Sequence, residues 1–160
     1  MLPEGYTFRL AGPEDGITIR HHRREMFHAM GLTDAARLDQ MDASFALWLN
    51  ERFTDDRYVA HLACTDDGTV VAGAGVWFLE WPPTYHCPDR NRAYLLNVYT
   101  EPEHRRRGLA RGLVEACIAT CTARGVPLIM LHASDEGRTV YESLGFTVSN
   151  EMRLFLEGGP

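Results

Sequence analysis

The apolar positions change period along the chain, and those changes mark out its elements. Over residues 108–124, Ala110, Leu113, Val114, Cys117, Ile118 and Cys121 follow the i, i+3, i+4, i+7, i+8, i+11 spacing of one helix face without a gap. Gly125 and Pro127 stop that helix, and 128–133 is a short apolar run of the kind found in a strand covered on both faces. Residues 93–100 have the same character, apolar on both faces except for Asn97, and Pro102 closes them. Strand, helix and strand in that order predict a right-handed crossover joining two parallel strands.

Upstream, 7–11 reads as a strand that runs into the turn and helix-start signal Gly12-Pro13-Glu14-Asp15. A helix over 13–30 stops at Gly31. A second begins near Asp34 with Leu38, Met41, Phe45, Trp48 and Leu49 on one stripe that ends near Phe53. Strands at 58–65 and 70–81 flank Asp66-Asp67-Gly68, a hairpin signal that makes them antiparallel neighbours. Pro82-Pro83 ends the second, and the polar loop through His86, Cys87, Pro88 and Asp89 is placed to line a substrate entrance. After Ser134 a short helix over 135–144 ends at Gly145, and 146–156 reads as a closing hairpin or bent strand. The predicted class is α/β (α+β): a single mixed, mostly antiparallel sheet with a central parallel pair and helices on both faces.

A chain of 160 residues, 45% hydrophobic, has the size and apolar content of one domain spanning 1–160. Its apolar runs are far shorter than the roughly 20 residues that span a bilayer. The first residues carry neither a basic nor an apolar segment, so a secretory signal is not expected and the cytoplasm is the default location. Cys64, Cys87, Cys117 and Cys121 form no Cys-x-x-Cys and read as small hydrophobes rather than metal ligands or disulfides. A net charge of −6 argues against general nucleic-acid binding, and an acidic body with a local basic cluster suits a small anionic cofactor. All 16 basic residues in the Lys and Arg count are arginine, which excludes a lysine nucleophile, a Schiff base and a P-loop.

That basic cluster is Pro102-Glu103-His104-Arg105-Arg106-Arg107-Gly108-Leu109-Ala110, lying between a buried strand and the best-defined helix. The first amides of the helix are free there, at the positive end of its dipole. Gly108 lets backbone approach an anion, small Ala110 avoids crowding it, and the arginines add charge where a diphosphate would lie. Spacing alone leaves a solvated arginine face as an equal reading.

Arg105-x-x-Gly108-x-Ala110 resembles the Arg/Gln-x-x-Gly-x-Gly/Ala signature of the GNAT acetyltransferases, and Tyr141-Glu142-Ser143-Leu144-Gly145-Phe146 is similar to that family's Tyr-Glu-x-x-Gly-Phe segment. Both fall in the family's order, and the resemblance covers nearly the whole chain. It implies an N-acetyltransferase that uses acetyl-CoA as co-substrate and no metal, and dimers are common among similar proteins. It implies that Val98, Tyr99 and Thr100 lie on a bulged strand beside the pantetheine arm. Arg105, Arg106, Arg107, Gly108, Leu109, Ala110 and Arg111 would take the pyrophosphate, with Ser134 and Arg138 as further cofactor-facing groups. Tyr141 matches the tyrosine that donates a proton to the departing sulfur, and Glu80 lies near where some members carry the base.

On the acceptor side, Asn97 and His28 are the candidate substrate contacts, and His86 lies in the loop that borders it. His21, His22, Arg23 and Arg24 either recognise a carboxylate or phosphate or form a solvated helix face, the second reading being favoured. The leading acceptor is the primary amine of a small molecule, attacked directly in a ternary complex. The acidic composition suits a cationic one such as a polyamine or aminoglycoside. The alternatives are a protein acetyltransferase acting on lysine or an N-terminal amine, and a non-catalytic acyl-CoA sensor.

Overall fold

In the computed structural model, which describes residues 3–156, the hairpin signal is realised at its glycine. Gly68 takes φ +86, a left-handed conformation, while Asp67 Oδ1 accepts from the Thr69 amide at 3.0 Å. The turn joins β2 (Tyr58–Thr65) to β3 (Val70–Glu80) in antiparallel register. β1 (Tyr6–Leu10) pairs antiparallel with β2, and β4 (Asn91–Thr100) with β3. β5 (Ile129–Leu131) lies parallel to β4, so the sheet order is β1-β2-β3-β4-β5.

Period-two alternation divides the strands between two cores. Ala63, Ala72, Ala74, Val76, Ala93 and Leu95 face α3 (Leu109–Ala123), whose Leu113, Val114, Cys117 and Cys121 close one side. Tyr58, Ala60, Trp77 and Leu96 face α1 (Gly16–Ala29) and α2 (Ala35–Thr54), which supply Ile19, Phe45, Trp48 and Leu49 to the other. Asp34 caps α2, its side chain accepting from the Arg37 amide at 3.1 Å. Gly31 leaves α1 in the left-handed conformation expected of a helix stop. α4 (Arg138–Ser143) packs its Tyr141 against the α3-side core.

Three expectations change. The parallel pair stands at the edge of the described sheet rather than at its centre. This follows from the second difference: 146–156 forms no strand, and Val148, Met152, Leu154 and Leu156 are exposed. β5 is only three residues long and offers a partner few ladder positions. Third, the buried stripe of α3 begins at Leu109 rather than Ala110. Among the described residues no helix is long and apolar enough to cross a membrane, and no cluster of His, Cys, Asp or Glu is arranged to hold a metal.

Candidate active site

Between β4 and α3 the backbone reverses hand twice. A 3-10 turn at Pro102–His104 leads to Arg105 in extended conformation, Arg106 at φ +60 and Gly108 at φ +82. Left-handed residues set among right-handed ones turn successive N–H groups towards a common centre, the geometry of an anion-binding nest. No side chain caps α3 at Gly108. Among the described residues, no protein group accepts from the amides of Arg106, Arg107, Gly108, Leu109, Ala110 or Arg111; the first helical bond runs from the Gly112 amide to the Gly108 carbonyl at 3.0 Å. These free amides sit at the positive end of the helix dipole. Arginines surround them and are held from behind. Arg105 Nε donates to the Thr100 carbonyl at 3.0 Å, Arg107 to the Glu103 carbonyl at 3.3 Å, and Arg111 to Ser143 Oγ at 2.7 Å. Arg106 is exposed. The set fits a diphosphate in charge and in donor supply.

β4 is bulged where it approaches this turn. Gly75 pairs with Leu96 and Gly73 with Tyr99, so three steps on β4 oppose two on β3. Asn97 carries the distortion at φ +56, a conformation that asparagine tolerates better than most residues. β5 accompanies β4 only through Ala93, Tyr94 and Leu95. From Leu96 onward the edge of β4 away from β3 has no strand beside it among the described residues, leaving a slot for an extended ligand. Val98 faces the α3-side core, as does Tyr141, whose ring meets Phe146 edge-on at 5.9 Å. Burial raises the Tyr141 phenol above its usual range, keeping it protonated near neutrality, and its hydroxyl has no protein partner among the described residues.

The other side of the bulge belongs to α1. Asn97 is buried; its Oδ1 accepts from Arg23 Nη1 at 2.7 Å and its Nδ2 donates to Tyr58 Oη at 3.0 Å. The Arg23 guanidinium lies over the rings of Phe45 at 4.5 Å and Phe27 at 5.1 Å, and its burial lowers its pKa. His22, beside it, is 2% exposed and stacks against Tyr99 at 5.1 Å. Burial drives its pKa down to about 4, against a smaller opposing pull from Glu101 at 3.9 Å. Tyr99 donates to Glu101 Oε2 at 3.1 Å, and burial together with that carboxylate pushes the phenol up to about 12. Gly73 and Gly75 make room for this layer, since a Cβ on Gly75 would lie 2.2 Å from Tyr58 Oη.

The structure thus brings Val98, Tyr99, Thr100, Asn97 and the 105–111 turn to one end of β4, with Tyr141 packed into the core beneath. Other expected site residues lie elsewhere or are otherwise engaged. Glu80 is opposite Asn91, roughly 20 Å along β4 from Asn97, and is an exposed partner of Arg90 at 3.5 Å. His28 is partly exposed and pairs with Glu25 at 3.3 Å on the solvent side of α1. Leu109 is 1% exposed, so only its backbone can meet a ligand. Ser134 Oγ accepts from the Gly137 amide at 3.2 Å at the entry to α4, and Arg138 is exposed with no charged partner among the described residues. The basic cluster on α1 is divided: His22 is buried and Arg23 reaches in to Asn97, while Arg24 pairs with Asp39 at 2.8 Å and His21 is exposed. All four cysteines are buried, and burial pushes the Cys121 thiol up to about 11 and Cys117 higher still, so neither of these two is a ready thiolate nucleophile.

Tyr58 is the site group that a reading of the motifs missed, and Arg23 and His22 are the ones it set aside as a solvated face. The signal for two of them was available. Ile19, His22, Arg23 and Phe27 recur at three and four residues, the spacing of a buried helix face. Nothing comparable marks Tyr58, whose role depends on which residue faces it two strands away.

Comparison with known proteins agrees with this geometry. The sequence model of the family described as Acetyltransferase (GNAT) family matches residues 18–146. The crystal structure of a GCN5-related N-acetyltransferase from Ralstonia eutropha is 32% identical, covers 96% of this chain and 100% of its own, and superposes with a TM-score of 0.90. A protein described as a predicted acetyltransferase from Clostridium acetobutylicum, crystallised with acetyl-CoA, is 25% identical over 94% of this chain and 95% of its own, with a TM-score of 0.85. An aminoglycoside N-acetyltransferase in complex with CoA shares the fold, with a TM-score of 0.71 at 18% identity over 98% and 99% of the two chains. No curated protein matches the sequence.

Proposed function

Because the chain belongs to the GNAT family of acetyltransferases and so uses acetyl-CoA, we propose that it delivers the acetyl group to a primary amine of a small molecule, attacked directly while donor and acceptor are bound together. The observation that carries this reading is the bulge at Asn97. On one side of it lie the unpaired edge of β4, the free amides of 106–111 and Tyr141; on the other lie Arg23 and the helices α1 and α2, packed against the sheet. A donor along that edge and an acceptor on the α1 side would meet at the bulge.

In this scheme the amides of 106–111 and the surrounding arginines hold the pyrophosphate, and Gly108 lets the backbone close on it. The backbone of Val98, Tyr99 and Thr100 pairs with the pantetheine arm and aims a donor at the thioester oxygen, where fixed donors contribute about 3 kcal/mol. The C–N bond forms as the C–S bond breaks; the amine loses a proton, and the Tyr141 hydroxyl gives one to the departing sulfur. The closed thiols of Cys117 and Cys121 support direct attack over a cysteine-borne acetyl group.

The test is acetyl-CoA-dependent thiol release against a panel of small amines, peptide lysines and peptide N-termini. Transfer to small amines with the highest kcat/KM is the expected result. Preference for a peptide would replace the acceptor class, and CoA binding without transfer to any amine would make the protein a sensor.

A further inference from the structure

Three arginines line α1, and the carboxylates of the neighbouring helix serve only two of them. Arg20 forms a bidentate pair with Asp42, and Arg24 pairs with Asp39. Arg23, between them in sequence and the most deeply placed, has no carboxylate within salt-bridge reach among the described residues. Among the described residues its one hydrogen bond is from Nη1 to the neutral carboxamide of Asn97; Nε is buried without a partner there, and Nη2 has none either. Aromatic rings cover its faces. A half-buried guanidinium with a buried, unpartnered Nε and no counter-charge is costly to the fold, and an anion brought by a ligand would offset that cost.

We propose that Arg23 is the receptor for an oxyanion on the acceptor, so that the substrate class is an amine carrying a carboxylate or phosphate a few bonds from its nitrogen. This rests on the acetyltransferase reading above. The position favours it: Arg23 is bonded to Asn97, the residue that forms the bulge, so an anion on Nη2 holds the attached amine close to that bulge. Arginine is suited to the task because its planar donors match both oxyanions and it stays charged when desolvated. The local charge also outweighs the acidic composition as a guide to this pocket, because net charge says little about one site.

The test compares amines that differ in the anion alone: glycine, L-alanine, L-methionine and L-phenylalanine against their amides, and O-phosphoethanolamine against ethanolamine. In the wild type, one of the two anionic series should lead its neutral counterparts by about 30-fold or more in kcat/KM, and which series leads identifies the oxyanion. Arg23→Gln should bring that ratio to within about 3-fold. Asn97→Asp, which sets an internal carboxylate against Arg23 while retaining the guanidinium, should also shrink it. A wild-type ratio near one in both series, or a ratio that survives Arg23→Gln, overturns the proposal. Calorimetric titration of the same acids and amides onto CoA-saturated protein reads the preference without turnover. Absence of transfer to every amine would therefore count against the acetylation reading alone, while equal binding of acids and amides would count against Arg23.

Discussion

Gly108 allows the proposed donor site to be separated from the fold that carries it. The residue caps α3 at φ +82, and a Cβ built on it would meet nothing nearer than Pro3 Cγ at 3.9 Å. The protein's own packing therefore has room for a side chain, and Gly108→Ala adds only the strain of a left-handed alanine, about 1 kcal/mol. For a chain of this length that lowers Tm by about 2–4 °C. Gly108→Glu carries the same backbone cost and adds a negative charge. At about 6 Å from one phosphate charge, with an effective dielectric near 20, the repulsion is about 3 kcal/mol, or roughly 150-fold in Kd. Calorimetric titration with CoA and melting without it measure the two effects separately. The expected pattern is a similar Tm loss in both variants, a several-fold loss of CoA affinity in the alanine variant and a loss above about 100-fold in the glutamate variant. A glutamate variant that binds CoA as tightly as the alanine variant would refute the reasoning and move the pyrophosphate away from this turn.

Tyr141→Phe should lower kcat at saturating acetyl-CoA by about tenfold or more while CoA affinity holds, and a change below about twofold would remove the hydroxyl from the chemistry. His22 has a folded-state pKa of about 4, below the ordinary 6.5, so the unfolded chain takes up the proton first and stability is lost as pH falls from 6.5 towards 4. Urea unfolding of the wild type and His22→Gln should show the gap between them narrowing by about 2 kcal/mol from pH 7.5 to 5.0, whereas parallel curves would mean that His22 is not held neutral. Gly75→Ala places a methyl group against Tyr58 Oη and should cost about 2 kcal/mol by urea unfolding; a neutral result would mean that Tyr58 can turn away from Asn97 without penalty.

Much of the turn proposed to hold the donor was legible because it is written in local sequence. A glycine at a left-handed cap, arginines before it and an unbroken helical stripe after it all lie within one short stretch, and each has its own chemical signature. The errors came where structure depends on what lies across from a residue. Glu80 looked like a base from its place near the end of a strand, yet register sends it to the far end of β4. The apolar positions of 146–156 look like a strand, but a strand needs a neighbour, and β5 offers only three residues.

The acceptor half was harder for a further physical reason: charge in sequence does not say which way it points. His21, His22, Arg23 and Arg24 read as one polar run, but a helix turns 100° per residue and divides them between solvent and core. Asn97 then decides what the buried pair faces. As an asparagine it tolerates the left-handed backbone of the bulge, and its carboxamide can accept from Arg23 while donating to Tyr58. An aspartate would have neutralised Arg23, and an alanine would have left both neighbours unpaired. A neutral group that satisfies geometry without cancelling charge keeps the guanidinium available, and it does so at the bulge where the acetyl group and the amine would meet.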